Sequence, residues 1–116
     1  VGYQVSKFLN VPNIFVERVN NVFTLRRGFE CRNKKIMIIE DVITTGKSSL
    51  ECSKCLKDLG AKISGYACII DRSGGNSQIS EVISQINFDI PVFSKDKLPK
   101  HLKQIEAVKP GSRKNI

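Results

Sequence analysis

The period of the hydrophobic positions changes several times along the chain, and each change marks an element. Val1, Val5, Phe8 and Leu9 recur at helical spacing, which predicts an amphipathic helix from the first residue. Asn10-Val-Pro-Asn13 interrupts it. Ile14-Phe15-Val16 predicts a short strand, and Asn20-Asn21 a hairpin turn leading to a second strand at Val22-Phe23-Thr24-Leu25. A polar link, Arg32-Asn33-Lys34, precedes Ile36 to Ile39, a continuous apolar run of the kind buried on both faces of a parallel sheet. Cys52, Cys55, Leu56 and Leu59 then return to helical spacing, predicting a helix over Ser48–Leu59 that stops at Gly60. Ile63 to Ile70 predicts another strand, a weaker one falls near Ile90 to Phe93, and the basic tail from Ser94 reads as part helix, part irregular. Strand, helix and strand in succession form a βαβ unit, whose crossover is almost always right-handed. The class is α/β, and 116 residues bound it to one domain, 1–116.

The junction inside that unit carries the chemistry. The apolar strand runs into Glu40-Asp41, then Val42-Ile43, and Thr44-Thr45-Gly46-Lys47-Ser48 opens directly into the helix. Open α/β sheets bind ligands at the carboxyl ends of their strands, and the free N–H groups and positive dipole end of a helix favour a phosphate there. Two adjacent carboxylates at the strand terminus are strong acceptors for sugar hydroxyls. Singly, Glu-Asp could end a strand in solvent and Thr-Thr-Gly could cap a helix; in this order behind a buried strand they predict a phosphorylated sugar. Gly46-Lys47-Ser48 also imitates the end of a triphosphate-binding P-loop. That motif needs glycine five residues earlier, where this chain has Asp41, whose charge would repel a triphosphate.

Composition narrows the field. A net charge of +8 is dispersed over Arg26-Arg27, Lys34-Lys35, Lys54, Lys57 and the tail, without the basic helix or interleaved aromatics of a nucleic-acid binder. It suits polyanionic small substrates, and no nucleic-acid partner is expected. No apolar run approaches membrane-spanning length and no signal-peptide pattern opens the chain, so the expected location is cytoplasmic, without membrane association. Cys52-Ser-Lys-Cys55 has the spacing of zinc or redox motifs, but no second pair completes a site and His101 is the sole histidine. The four cysteines are expected to be reduced core thiols, with no protein-held metal.

The segment Ile38-Ile-Glu-Asp-Val-Ile-Thr-Thr-Gly-Lys-Ser48 closely resembles the phosphoribosyl-pyrophosphate (PRPP) signature of the type I phosphoribosyltransferases. Phe15-Val-Glu-Arg18, Leu25-Arg-Arg-Gly-Phe29, Leu59-Gly-Ala-Lys62, Asp71-Arg-Ser-Gly-Gly75 and Val108-Lys-Pro-Gly-Ser-Arg113 are similar to the orotate phosphoribosyltransferase family, in order and over nearly the whole chain. The resemblance implies Mg²⁺-dependent transfer of phosphoribose from PRPP to orotate, giving orotidine 5′-phosphate and pyrophosphate in pyrimidine synthesis. It implies a Rossmann-like parallel sheet and a PRPP loop at Glu40, Asp41, Val42, Ile43, Thr44, Thr45, Gly46, Lys47 and Ser48. Thr44 and Arg72 would meet orotate. Arg26, Arg27, Arg32, Lys34 and Lys35 lie where the family has a mobile catalytic loop, with Arg27 the first choice for pyrophosphate and Glu40, Asp41 and Arg27 as the catalytic set. Lys47 departs from the family, which usually has a second glycine there. Relatives also extend upstream with a hood and a Gly-rich pyrophosphate loop, so the fold is expected to be incomplete at its N-terminus, with an exposed strand edge, and completed by a homodimer or a complementing N-terminal segment. The alternative is a non-catalytic remnant or a regulatory module that binds PRPP or a nucleotide.

Overall fold

A computed structural model describes residues 1–91 and 93–106. Helix α1 (Gly2–Leu9) ends at Asn10, which adopts the left-handed conformation (φ 52°) that asparagine tolerates better than most residues. Strands β1 (Val16–Val19) and β2 (Val22–Leu25) pair antiparallel around Asn20-Asn21, both at positive φ, as a two-residue hairpin turn requires. The first strand thus starts two residues later than the apolar triplet Ile14–Val16 suggests, because the register is set by the turn: Val19 pairs with Val22 and Val16 with Leu25.

Strand β3 (Lys35–Ile43), helix α2 (Lys47–Asp58) and strand β4 (Lys62–Asp71) form the expected βαβ unit, with β3 and β4 parallel. Strand β5 (Ile83–Asn87) extends the sheet in parallel beyond β4, giving the order β3-β4-β5. Among the described residues no strand forms near Ile90 to Phe93: Ile90, Pro91 and Phe93 lie outside any strand, and Ile83-Ser-Gln-Ile-Asn87 takes the place beside β4. Pro91 has no N–H for a ladder, whereas Ile83 and Ile86 register against Ala67 and Ile70. Among the described residues the tail holds one 3₁₀ turn, at Lys95–Lys97, and Val108 to Arg113 lie outside them.

One core joins α2 to one face of the sheet. Cys31, Ile38, Cys52, Leu56 and Ala61 are buried together, with Ile14, Phe23, Ile36 and Tyr66 packed around them. Burying Leu56 contributes on the order of 1.5–3 kcal/mol. The helix phase differs from the expected stripe: Ser49, Cys52, Ser53 and Leu56 face inward, Cys55 is half-buried and Leu59 is exposed. Two buried serines let the helix lie close to the sheet where larger side chains would hold it off. All four cysteines are free.

The reading of Ile36 to Ile39 as buried on both faces holds for one face only. Ile38 points into the core, whereas Met37 is 43% exposed on the opposite side. Nor does β3 stop before the carboxylates, since its pairing with β4 continues through Val42↔Ile70 and Ile43↔Asp71.

Candidate functional site

The strand extension moves Glu40 and Asp41 from a strand terminus into the ladder, and alternation sends them to opposite faces. Glu40 falls on the α2 side, half-buried, where its Oε1 accepts a hydrogen bond from the Ser49 hydroxyl at 3.2 Å. Ser49 is 2% exposed, so this bond fixes the carboxylate from within the core. Asp41 is exposed, and its Oδ1 accepts the Val42 N–H at 2.7 Å. Ile43 then turns inward with Cys68 and Ile79. Of the nine positions predicted to hold the ligand, Ile43 therefore offers the site only its backbone. Its carbonyl is taken by the N–H of Arg72 at 2.8 Å, which ties the end of β3 to the loop after β4.

That loop walls the turn. The N–H of Gln78 donates to the Thr45 carbonyl at 2.9 Å, and Ile79, buried at 6% exposure, lies over Gly46. Gly46 adopts φ 76°, and a Cβ there would sit 2.8 Å from Ile79 Cγ1 and 2.9 Å from Ser77 Oγ. Only glycine meets both demands. Asp71 braces the same loop by accepting the Ser73 N–H at 2.8 Å.

Helix α2 starts from Gly46 with no side-chain cap and no acidic residue in its first turn. Its first residue is Lys47, exposed, and Thr44, Thr45 and Ser48 are exposed beside it. The Lys47 N–H donates to Thr45 Oγ1 at 3.4 Å, and the remaining free N–H groups of the first turn, with a cation beside them, favour an anion. Arg18, on β1, adds to this charge: its guanidinium donates to Ser48 Oγ at 3.2 Å and to Glu51 Oε2 at 2.7 Å, while stacking over the Phe23 ring at 4.0 Å. Lys47 Nζ lies 4.0 Å from the other oxygen of Glu51. Sequence reading passed over Arg18, Ser49 and Glu51. The alternation of β1, which sends Glu17 and Arg18 to opposite sides, was a usable signal for Arg18; nothing in the sequence placed the hairpin against α2.

The structure does not bring Arg27 to the turn in the same way. Its Nε donates to Glu17 Oε1 at 2.9 Å and its guanidinium lies 5.6 Å over the Phe15 ring, so its partners are on the hairpin. Arg26 also pairs with Glu17, at 3.5 Å. Arg72 is exposed at the end of β4, and the ion pairs among the described residues involve Arg18, Arg26, Arg27, Lys47 and Lys54, leaving its guanidinium available.

Cys52 stands beside the carboxylate, and burial pushes its thiol from 9.0 up to about 11, with the charge of Glu40 and then Cys55 adding to the effect. Burial likewise raises Cys68. Protonated thiols are poor nucleophiles and poor metal ligands. Among the described residues no three His, Cys, Asp or Glu side chains group together as a metal cage.

Strand, carboxylate pair, glycine turn and helix in this topology define a class. Two solved structures share the fold, each at 20% sequence identity. They are a purine phosphoribosyltransferase from Pyrococcus horikoshii (TM-score 0.55, 80% of this chain and 73% of that one) and the Mycobacterium tuberculosis orotate phosphoribosyltransferase in complex with inorganic phosphate (TM-score 0.52, 71% and 52%). The chain has the phosphoribosyltransferase fold. In sequence it is 45% identical over 113 residues to the orotate phosphoribosyltransferases of Brucella ovis and Brucella suis. The match takes in 97% of this chain and 59% of those relatives, so the chain spans about three-fifths of their length. No family model matches it. Among the described residues no helix is long and apolar enough to cross a membrane.

Proposed function

We propose that this chain carries the PRPP- and base-binding part of an orotate phosphoribosyltransferase, catalysing reversible transfer of phosphoribose from PRPP to orotate with release of pyrophosphate. The observation that carries this reading is the α2 N-terminus behind Glu40-Asp41, where Gly46 supplies no side-chain cap and Thr44, Thr45, Lys47 and Ser48 are exposed, in a chain with 45% identity to enzymes of that name. That identity, with the turn intact, favours the enzyme over a non-catalytic remnant.

The N–H groups of Thr44 to Ser48 would surround the 5′-phosphate, and Asp41 and Glu40 would accept from the ribose hydroxyls. Ser49 sets the rotamer of Glu40 in advance, which reduces the ordering cost of binding. Exposed Arg72, beside the turn through its N–H bond to Ile43, offers a planar fork for the carboxylate of orotate, with Thr44 alongside. Departure of pyrophosphate leaves positive charge on the ribosyl carbon, so the protein's task is positioning and the placement of charge where it develops. Arg18 and Lys47, beside Ser48 and both on Glu51, would turn toward the anionic end of the substrate, and Arg27 would have to leave Glu17 and the hairpin to join them.

Mg²⁺ fits this donor set as a substrate-borne ion. Glu40 and Asp41 lie on opposite faces of β3 and among the described residues no group of three ligands forms, so the protein would enclose no cation; the ion would keep its shell as phosphate oxygens and water, with one carboxylate at most beside it. When bound it would neutralise the leaving pyrophosphate. A homodimer or a complementing segment, and a cytoplasmic setting, complete the proposal; four free thiols, three of them buried, accord with a reducing compartment. The test is turnover of PRPP and orotate with Mg²⁺ by the purified chain, alone and joined to the part of the Brucella relative it does not match, together with calorimetric PRPP binding. Neither turnover nor binding in either form would refute the proposal.

A further inference from the structure

Ser48 is the second residue of α2 and is exposed at the turn. A serine hydroxyl has one proton to donate and two lone pairs that accept. Within a helix the proton can return to the carbonyl four residues earlier; for Ser48 that residue is Thr44, which lies before α2. Among the described residues the hydroxyl makes one hydrogen bond, in which Oγ accepts from the Arg18 guanidinium at 3.2 Å. Its proton therefore has no acceptor among them, beside the N–H groups that open the helix.

Arg18 is fixed from several directions. Its Nη1 donates to the Asn21 carbonyl at 2.9 Å, and its Nη2 donates to Glu51 Oε2 at 2.7 Å as well as to Ser48. Both hydrogens of Nη2 thus have partners. The guanidinium also lies 4.0 Å from the centre of the Phe23 ring, and Phe23 packs against the core. Hairpin and helix, joined by a contact across 30 positions of sequence, meet at this one side chain. A cation on one lone pair repels the hydroxyl proton, so the Ser48 O–H turns away from Arg18 and donates elsewhere.

We infer that Arg18 is a positioning residue of the candidate site: by occupying a lone pair of Ser48, it commits that hydroxyl to donate to an oxygen of the 5′-phosphate. Glu51, Asn21 and Phe23 hold the guanidinium in place for this. The role rests on the PRPP reading of the turn, and it gives Arg18 a geometric part besides its charge. A lysine would keep the charge but lacks the planar fork that serves Ser48 and Glu51 together.

A double-mutant cycle separates the two parts. PRPP binding is measured by calorimetry for Arg18→Lys and Arg18→Ala, each with Ser48 in place and with Ser48→Ala. The chain is used alone and joined to the part of the Brucella relative it does not match. With Ser48 in place, Arg18→Lys should weaken binding roughly 3-fold and Arg18→Ala roughly 10-fold, the scale of one hydrogen bond plus a charge. In the Ser48→Ala background, Arg18→Lys should have no effect and Arg18→Ala should cost about 3-fold, the charge alone. Both side chains are exposed, and circular dichroism checks that each variant is folded; should Arg18→Ala unfold, Arg18→Lys decides by itself. Equal losses in the two backgrounds, or an Arg18→Lys protein that binds like the parent, would overturn the positioning role and leave the PRPP site standing. A parent chain that binds no PRPP in either form would overturn the site and this role with it.

Discussion

Replacing Gly46 with alanine isolates the turn on which the candidate site depends. Two costs add. A non-glycine residue at φ 76° pays about 1–2 kcal/mol for left-handed backbone. The new methyl would sit 2.8 Å from Ile79 Cγ1 and 2.9 Å from Ser77 Oγ, closer than real contacts allow, in a place where Ile79 is buried and Ser77 Oγ already accepts the Ile79 N–H at 3.0 Å. Overpacking of that kind costs typically 1–3 kcal/mol. The lower entropy of the unfolded alanine chain returns about 0.4–1 kcal/mol, leaving a net loss of about 1–4.5 kcal/mol. For a domain near 100 residues this lowers Tm by roughly 4–18 °C. Gly28 is the matched control: its φ is 71°, but a Cβ there meets nothing within 4 Å. Gly28→Ala therefore carries the strain without the overlap, for a loss of about 1.5 kcal/mol or less. Urea unfolding of both variants, followed by circular dichroism, measures the difference. Equal losses would show that the loop carrying Ile79 does not close over the turn as described, and the argument for glycine at position 46 would reduce to backbone conformation. PRPP affinity should fall with Gly46→Ala and stay unchanged with Gly28→Ala.

Other expectations follow from the same geometry. Asp41→Asn should weaken PRPP binding by calorimetry, and unchanged affinity would remove the ribose site from Asp41. Arg18→Ala should weaken binding of inorganic pyrophosphate more than Arg27→Ala does, because Arg18 already reaches Ser48 whereas Arg27 is held by Glu17; stability should change by no more than about 1 kcal/mol, since the Arg18–Glu51 pair is exposed. Ser49→Ala should cost on the order of 1 kcal/mol and also reduce PRPP affinity through loss of the Glu40 rotamer; a stability loss with unchanged affinity would confine Ser49 to the core. The Cys52 thiol is raised in the folded state from 9.0 to about 11, so its contribution to stability is fully present below pH 9 and is lost as pH rises toward 11. Unfolding midpoints compared at pH 8 and pH 10.5 should fall less in Cys52→Ala than in the parent chain.

Local pattern determined the elements whose periodicity is strong. The run Ile36–Ile39, the helical spacing after Gly46 and the asparagine pair at the hairpin each required one conformation, and the strand–carboxylate–glycine–helix order marked out a candidate phosphate-sugar site from residue types alone. Pattern failed where pairing decides. Ile83-Ser-Gln-Ile-Asn87 looks polar by itself and becomes a strand because Ile83 and Ile86 meet Ala67 and Ile70 across the ladder, while Ile90 and Phe93, more apolar, have no partner strand and are broken by Pro91. The helix phase was decided by how closely Ser49 and Ser53 let α2 approach the sheet, which no periodicity count can weigh. Long-range contact also chose the cation: Arg18, separated by a hairpin and a strand from the helix it serves, arrives at Ser48 because β1–β2 folds onto α2, and Arg27 remains on its hairpin with Glu17. Sequence by itself determined which residues are chemically able to hold a phosphorylated sugar. Only the tertiary structure decided which of them face the same space, because that depends on strand register and on the docking of distant elements, and it left β3 with one edge unpaired.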